Sequence, residues 1–298
     1  MPSQAATYRC GYVALAGRSN VGKSTLLNRL VGEKVAIVSP LPQTTRGAIV
    51  GIRTDPDAQL IIVDAPGIHQ PRRALNQRMV QSAQRAIAQA DLIALVVEAR
   101  PISPQDRELI ALVGERDVPV VVVINKIDLV ARPKLIPLAE QWLRALPKAE
   151  IVPVSALSGE NVEELARTLK QFLPPGPALM PADQAMAQSA RELAAEIVRE
   201  KLFLQMRQEI PFSTAVQVEH WEELPERKLT RIGAAVVVER DSHKGMVIGA
   251  GGSRLKEVGQ AARLELEAML GHRVYLELQV RVENNWTRDP RRLDQFGL

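Results

Sequence analysis

The sequence has one cysteine, Cys10, so no disulfide can form within the chain. That fits a reducing compartment. No apolar run approaches the roughly 20 residues that cross a bilayer. The longest runs cover 92–97 and 118–124. Residues 1–9 lack a basic stretch followed by an apolar one, so no signal peptide is expected. Long-period repeats and low-complexity tracts are missing, and aspartate, histidine and cysteine nowhere cluster as a separate catalytic centre would require. Charge of one sign is also missing where it would matter. The net charge is +4, but from Pro181 onward 17 Lys/Arg face 18 Asp/Glu. Bulk charge therefore does not mark the second half for nucleic acid, and any such reading must come from local features.

What is present is an ordinary globular composition, 46% hydrophobic and 24% charged, over 298 residues. That length accommodates two domains. The first part alternates strand-like and helix-like patterns. Strands are expected at 12–16, 47–53, 59–63, 92–97, 118–124 and 150–154. Helices are expected at 23–30, around Leu75, Met79, Ala83 and Ile87, and at 105–113, 136–146 and 162–172. The turn signal Thr54-Asp55-Pro56-Asp57 makes one strand pair an antiparallel hairpin. Alternation of this kind predicts an α/β fold with a mixed, mostly parallel sheet and helices on both faces. The proline-rich segment 174–184 reads as a stiff linker between a domain at 1–173 and another at 185–298. Beyond it the pattern predicts a helix at 185–207, strands at 213–221 and 232–240, a glycine-rich turn, a helix at 253–270 and a strand at 273–282.

Gly17-Arg18-Ser19-Asn20-Val21-Gly22-Lys23-Ser24 fits G-x-x-x-x-G-K-[ST] at every fixed position, with Thr25 next in the helix that follows. Glycines let the backbone curl so that several N–H groups point at phosphates, and the helix N-terminus adds its dipole. Lys23 would reach the β- and γ-phosphates and the Ser24 hydroxyl would hold Mg²⁺. Asp64-Ala65-Pro66-Gly67 ends an apolar strand; Asp64 would hold Mg²⁺ through water and Gly67 would offer its N–H to the γ-phosphate. Between them lies Thr44-Thr45-Arg46. A threonine there would bind Mg²⁺ only with the γ-phosphate in place, and Thr45 is the choice.

Asn125-Lys126-Ile127-Asp128 selects guanine. The Asp128 carboxylate can accept from N1–H and the 2-amino group, and adenine offers neither donor. Asn125 would tie this loop to the phosphate loop, and the stem of Lys126 would cover the base. In Ser155-Ala156-Leu157 a backbone N–H is placed to meet guanine O6. Four motifs in order, each after a strand, resemble the Ras-like GTPases over 11–173. Ile68 stands where Ras-type enzymes place a water-orienting glutamine, and His69 reads as an exposed loop residue. Slow intrinsic hydrolysis is the expectation.

In the second half, Gly249-Ala250-Gly251-Gly252 matches the G-x-x-G loop of KH domains, which clamps a single-stranded backbone. Lys244, Arg254 and Lys256 flank it, with no acidic residue from 242 to 256. Leu255, Val258, Ala262, Leu266 and Met269 share one helix face, which would pack on the sheet. A Ras-like GTPase followed by a type II KH domain resembles the Era family of ribosome-associated GTPases across nearly the whole chain. The resemblance implies GTP or GDP with Mg²⁺ as ligands, held by the motifs above. It also implies a GTPase switch, binding of the 3′ end of small-subunit (16S) ribosomal RNA, and a part in maturation of that subunit. A monomeric cytoplasmic protein with loose association at the inner membrane is expected on the same ground. The family commonly has lysine where this chain has Ala250, which removes a phosphate contact. Trp286, Arg288, Arg291 and Arg292 in the tail could touch RNA; for Trp286, core filling is an equal alternative. The competing function is a GTPase whose second domain binds protein or membrane.

Overall fold

The near-continuous Val, Ile and Leu runs of the first half become central strands of one sheet, as strands covered on both faces must. The computed structural model describes residues 8–67, 74–206 and 210–296. Strands β1 (Arg9–Ala16), β2 (Ile49–Thr54), β3 (Ala58–Asp64), β4 (Leu92–Glu98), β5 (Val120–Asn125) and β6 (Glu150–Pro153) lie in the order β2-β3-β1-β4-β5-β6. β2 and β3 run antiparallel, with Ile52 opposite Ile61, and the other pairings are parallel. This is the expected mixed sheet.

Helices α1 (Lys23–Val31), α2 (Ala74–Gln89), α3 (Pro104–Gly114), α4 (Leu135–Ala145) and α5 (Val162–Phe172) cover its faces. Alternate residues of β1 enter different cores, because side chains of a strand alternate in direction. Val13 and Leu15 join Leu26, Leu27, Leu165 and Leu169. Ala14 and Ala16 join Ile87, Leu109, Val113 and Trp142.

Among the described residues, contacts divide the chain into a first unit of 8–36, 45–67 and 78–187, and a second of 37–44, 74–77, 188–206 and 210–296. The segment read as a linker therefore groups with the first unit. The Cys10 N–H donates to the Pro174 carbonyl at 3.1 Å. The Leu179 and Met180 N–H groups both donate to Gln59 Oε1 at 2.9 Å. Cys10 itself is 5% exposed, its thiol 3.6 Å from Gln59 Oε1. Residues 185–187, expected as helix, lie along β2 instead: the Ile52 N–H donates to the Ala185 carbonyl at 2.7 Å and the Ala187 N–H to Val50 at 3.1 Å. An edge strand leaves backbone groups open, and this segment satisfies them. Helix α6 (Ala190–Gln205) begins at a capping box in which Ser189 accepts from the Glu192 N–H and the Glu192 carboxylate accepts from the Ser189 N–H.

In the second unit, strands β7 (Thr214–Leu224), β8 (Leu229–Val238) and β9 (Arg273–Val282) form a sheet in that order, β7 antiparallel and β9 parallel to β8. Helix α8 (Ser253–Leu270) packs on α6 and β9. Val258, Ala262 and Leu266 on its inner face are buried. The segment 37–44 is held here as well: the Val38 N–H donates to Glu200 Oε1 at 2.8 Å, and Arg199 Nη2 donates to the Thr44 carbonyl at 2.6 Å. Two features depart from the sequence reading. Residues Asp241–Ile248 form a helix, α7, so Lys244 stands on a helix and the turn is confined to 249–252. Trp286 is fully buried and donates from Nε1 to the Ser213 carbonyl at 3.2 Å, with Phe296 edge-on at 5.2 Å. It fills the core and has no face for a base. Helix α9 (Pro290–Gln295) closes the chain's described part.

Candidate functional site

The C-terminal ends of β1, β3 and β5 and the loop after β6 meet at one edge of the larger sheet, where open α/β sheets bind ligands. β1 delivers Gly17–Gly22, and α1 starts at once with Lys23. Gly22 has φ 97°, and a Cβ there would stand 2.3 Å from Asn125 Nδ2. Only glycine lets the phosphate loop turn this close to the Asn125 loop.

Lys23 is 6% exposed, and its ammonium donates to the Arg18 carbonyl at 3.0 Å and the Gly17 carbonyl at 3.4 Å. Burial pushes its pKa below the ordinary lysine range, and the Asp64 carboxylate partly pulls it back. Asp64, at the end of β3, is fully buried. Burial pushes its carboxyl up, against Lys23, Ser24 and Thr45. Ser24 Oγ donates to Asp64 Oδ2 at 2.5 Å and lies 2.9 Å from Thr45 Oγ1, which is itself 3.5 Å from Oδ2. Thr44 points its hydroxyl to the Leu41 carbonyl at 2.8 Å, so Thr45 alone of the pair joins this cluster.

Asp64 Oδ1 is buried with no hydrogen-bond partner. Two hydroxyls and one carboxylate with an orphaned oxygen fit a hard cation that takes few protein ligands and keeps oxygen ligands from water and phosphate. Gly67 is buried beyond Asp64. Ile68 and His69 lie outside the described residues.

Around the base position, Asn125 is 1% exposed; its Nδ2 donates to the Val21 carbonyl at 2.7 Å and its Oδ1 accepts the Ala156 N–H at 2.9 Å. Lys126 has φ 65° and is paired with Glu98. Asp128 is exposed, with one oxygen accepting from Ser155 Oγ at 2.5 Å. Two residues were missed by the sequence reading. Glu98 ends β4 and fixes the Lys126 head; burial alone would raise its carboxyl, but Lys126 and Arg100 hold it below the usual range. Arg29, on α1, donates from Nε to the Ala156 carbonyl at 3.2 Å and from Nη2 to Leu157 at 2.7 Å, bracing the last loop. Neither belongs to a motif, and each acts across a long stretch of sequence.

In the second unit, Gly249 has φ 75° and a Cβ there would come 2.8 Å from Arg254 Cβ, so the turn requires glycine. Helix α8 follows with no side-chain cap at its N-terminus. Ala250, Gly251, Arg254 and Lys256 are exposed, Gly252 and Lys244 half-buried. Arg254 Nη1 donates to the Met246 carbonyl at 2.5 Å, which ties it to α7. An open groove of about 560 Å³ runs from Gly252 between α8 and β9.

A nucleotide cradle on a mixed sheet, joined to a β-sheet unit with a G-x-x-G turn, defines a P-loop GTPase carrying a KH domain. Residues 12–126 match the family model described as 50S ribosome-binding GTPase, and 209–287 match the KH domain. The GTPase Era of Syntrophus aciditrophicus is 44% identical over 291 residues, covering 97% of this chain and 95% of that one. The GTPase Era of Nitratidesulfovibrio vulgaris is 46% identical over 300 residues, covering 98% and 97%. Two solved structures are similar: Era in complex with MgGDPNP and nucleotides 1506–1542 of 16S ribosomal RNA, and a point variant of Aquifex aeolicus Era bound to GDP·AlF₄⁻. Their TM-scores are 0.94 and 0.93, each at 41% identity over 97% of this chain and 99% of theirs. The chain belongs to the GTPase Era family, and it is a GTPase.

Proposed function

We propose that this GTPase is a switch that binds the 3′ end of small-subunit ribosomal RNA through its KH domain and assists maturation of that subunit. The observation that carries it is the presence in one chain of the Ser24–Thr45–Asp64 cluster and an exposed G-x-x-G turn opening on a groove. The cofactors are guanine nucleotide and Mg²⁺, and the ion's contribution is to neutralise charge on the β- and γ-phosphate oxygens.

The residues divide the work. Backbone N–H groups of 17–25 cradle the phosphates. Lys23, buried beside the loop, supplies positive charge to the transferring phosphoryl group. Ser24, Thr45 and Asp64 hold the ion, and Thr45 does so in the triphosphate state. Gly67 offers its N–H to the γ-phosphate. Asp128 accepts the guanine N1–H and 2-amino donors, while Asn125, Glu98 and Arg29 fix the loops around it. Isoleucine at 68 in place of a water-orienting glutamine supports slow intrinsic hydrolysis. Lys244, Arg254, Lys256 and the turn 249–252 clamp the RNA backbone. We place the protein in the cytoplasm as a monomer, with peripheral contact at the inner membrane.

The test is titration of a single-stranded oligonucleotide copying the rRNA 3′ end against protein loaded with GDP or a non-hydrolysable GTP analogue, at two salt concentrations. Tighter, salt-sensitive binding with the analogue is expected. No binding in either state would overturn the RNA reading and leave a GTPase whose second domain has a protein or membrane partner.

A further inference from the structure

The segment that precedes Thr45 is pinned at both ends by two adjacent residues of α6. The Val38 N–H donates to Glu200 Oε1 at 2.8 Å, and Arg199 Nη2 donates to the Thr44 carbonyl at 2.6 Å. Between these points the segment folds on itself: the Leu41 N–H donates to Ser39 Oγ at 3.0 Å, and the Thr44 hydroxyl donates to the Leu41 carbonyl at 2.8 Å. Gln43 has φ 63°, a left-handed conformation that glutamine keeps only where its surroundings impose it. Thr44 follows, and then Thr45, whose hydroxyl lies 2.9 Å from Ser24 Oγ.

Arg199 is itself held in one position. It is 3% exposed. Its Nε and Nη2 both donate to the Glu196 carboxylate, at 2.7 and 2.5 Å, and its guanidinium lies 5.1 Å from the centre of the Phe203 ring. Nη1 is buried and has no hydrogen-bond partner among the described residues. A buried donor left unmet costs stability that an apolar side chain of similar size would not. Core filling therefore does not account for an arginine here, and the grip on Thr44 does.

We propose that Arg199 is a positioning residue for GTP hydrolysis. By holding the Thr44 carbonyl it keeps the strained Gln43–Thr44 backbone in place, and that backbone sets the direction in which Thr45 is presented to the ion. This rests on the reading of Thr45 as the Mg²⁺ ligand of the triphosphate state. Ser24 sits on α1 and Asp64 ends β3, so Thr45 is the ligand of the three that depends on loop ordering. A carbonyl fixed one residue away lowers the entropy lost when its hydroxyl takes up the ion. A lysine would do this less well, because a single ammonium lacks the planar fork that spans Glu196 and Thr44 together.

The experiment uses the full chain and its Arg199→Ala, Arg199→Lys and Thr45→Val variants, with Arg199→Ala and Thr45→Val also combined. Affinities for fluorescent GDP and for a non-hydrolysable GTP analogue are measured as Mg²⁺ is titrated, below the melting temperature of every variant. Single-turnover hydrolysis is followed at saturating GTP. Arg199→Ala should leave GDP affinity little changed and weaken the analogue by about tenfold or more, with a smaller gain from Mg²⁺. Hydrolysis at saturating GTP should slow by roughly 10- to 100-fold. Arg199→Lys should show a smaller loss in the same direction, and it carries the test where the alanine variant does not fold. In the combined variant the two losses should not add, because both act on one ligand. Equal weakening of GDP and analogue, an unchanged analogue affinity, or losses that add would each overturn the positioning role while Thr45 keeps its own. A Thr45→Val variant that binds the analogue as tightly as the unaltered protein would overturn the reading of Thr45, and this inference with it.

Discussion

The Asn125 carboxamide reaches from the end of β5 to the Val21 carbonyl in the phosphate loop, 2.7 Å away, with both residues buried. Its other end accepts the Ala156 N–H, so one side chain joins three ligand loops. Asn125→Ala would strand two buried backbone groups at about 1–3 kcal/mol each. The expected outcome is a lower melting temperature and at least about tenfold weaker binding of fluorescent GDP, read by thermal denaturation and titration.

Asp128→Asn should change which base is accepted. The carboxylate takes two donors, whereas an amide offers one donor and one acceptor. A base with a carbonyl in place of the 2-amino group then fits better than guanine. Competition among GTP, XTP and ATP for a fluorescent nucleotide should show GTP weakened by about tenfold or more and XTP strengthened. Unchanged GTP preference would remove Asp128 from base selection.

With Ser24, Thr45 and the orphaned oxygen of Asp64 proposed to hold Mg²⁺, nucleotide affinity should depend on the ion. Ser24→Ala should abolish the Mg²⁺ enhancement of GDP binding. Thr45→Val should weaken the GTP analogue and leave GDP little changed. At a hundred times the dissociation constant, Mg²⁺·GDP should add about 2.7 kcal/mol to the unaltered protein's stability, seen as a raised melting temperature.

Asp106 supplies a pH dependence away from the ligand site. It is 2% exposed and caps α3 with Ser103. Burial works against its charge, but the Arg100 guanidinium and the Ser103 hydroxyl and N–H more than offset this and hold the carboxyl below its usual range. Between the lowered folded value and an unfolded value of about 3.9, the unfolded chain binds more protons. The stabilisation is thus complete above about pH 5 and lost as pH falls through the folded value. Melting temperature should drop between pH 5 and pH 3 more steeply in the unaltered protein than in Asp106→Asn.

Ala250 is exposed in the G-x-x-G turn. Ala250→Lys restores a cation beside the proposed phosphate path. RNA affinity at low salt should rise several-fold, and the slope of log affinity against log salt should steepen by about 0.7. A flat response would place the phosphate chain away from this turn.

That Lys23, Ser24 and Asp64 come together was legible because each motif is contiguous and its chemistry local: a turn, a lysine, a hydroxyl and a carboxylate at fixed spacing. The mixed, mostly parallel character of the sheet followed from alternation and one hairpin; the strand order did not. Helix α7 was not legible, because Gly245 and the three glycines of 249–252 made the whole segment read as a glycine-rich turn. The edge pairing of 185–187 was hidden by an Ala-Met-Ala pattern equally suited to helix, although Ser189 and Glu192 already marked the true start. Trp286, Arg29 and Glu98 owe their roles to partners 73, 127 and 28 residues away, which no local pattern reports.

Cys10 is the chain's single thiol, buried on β1 with its sulfur against Gln59 of β3. A buried thiol of this kind is chemically inert. A cysteine introduced at an exposed position such as Ala250 or Tyr275 would therefore be the sole accessible handle for a fluorophore or spin label. The native chain already has the silent background that most proteins must be stripped of cysteines to reach, and site-specific spectroscopy can begin from a single substitution.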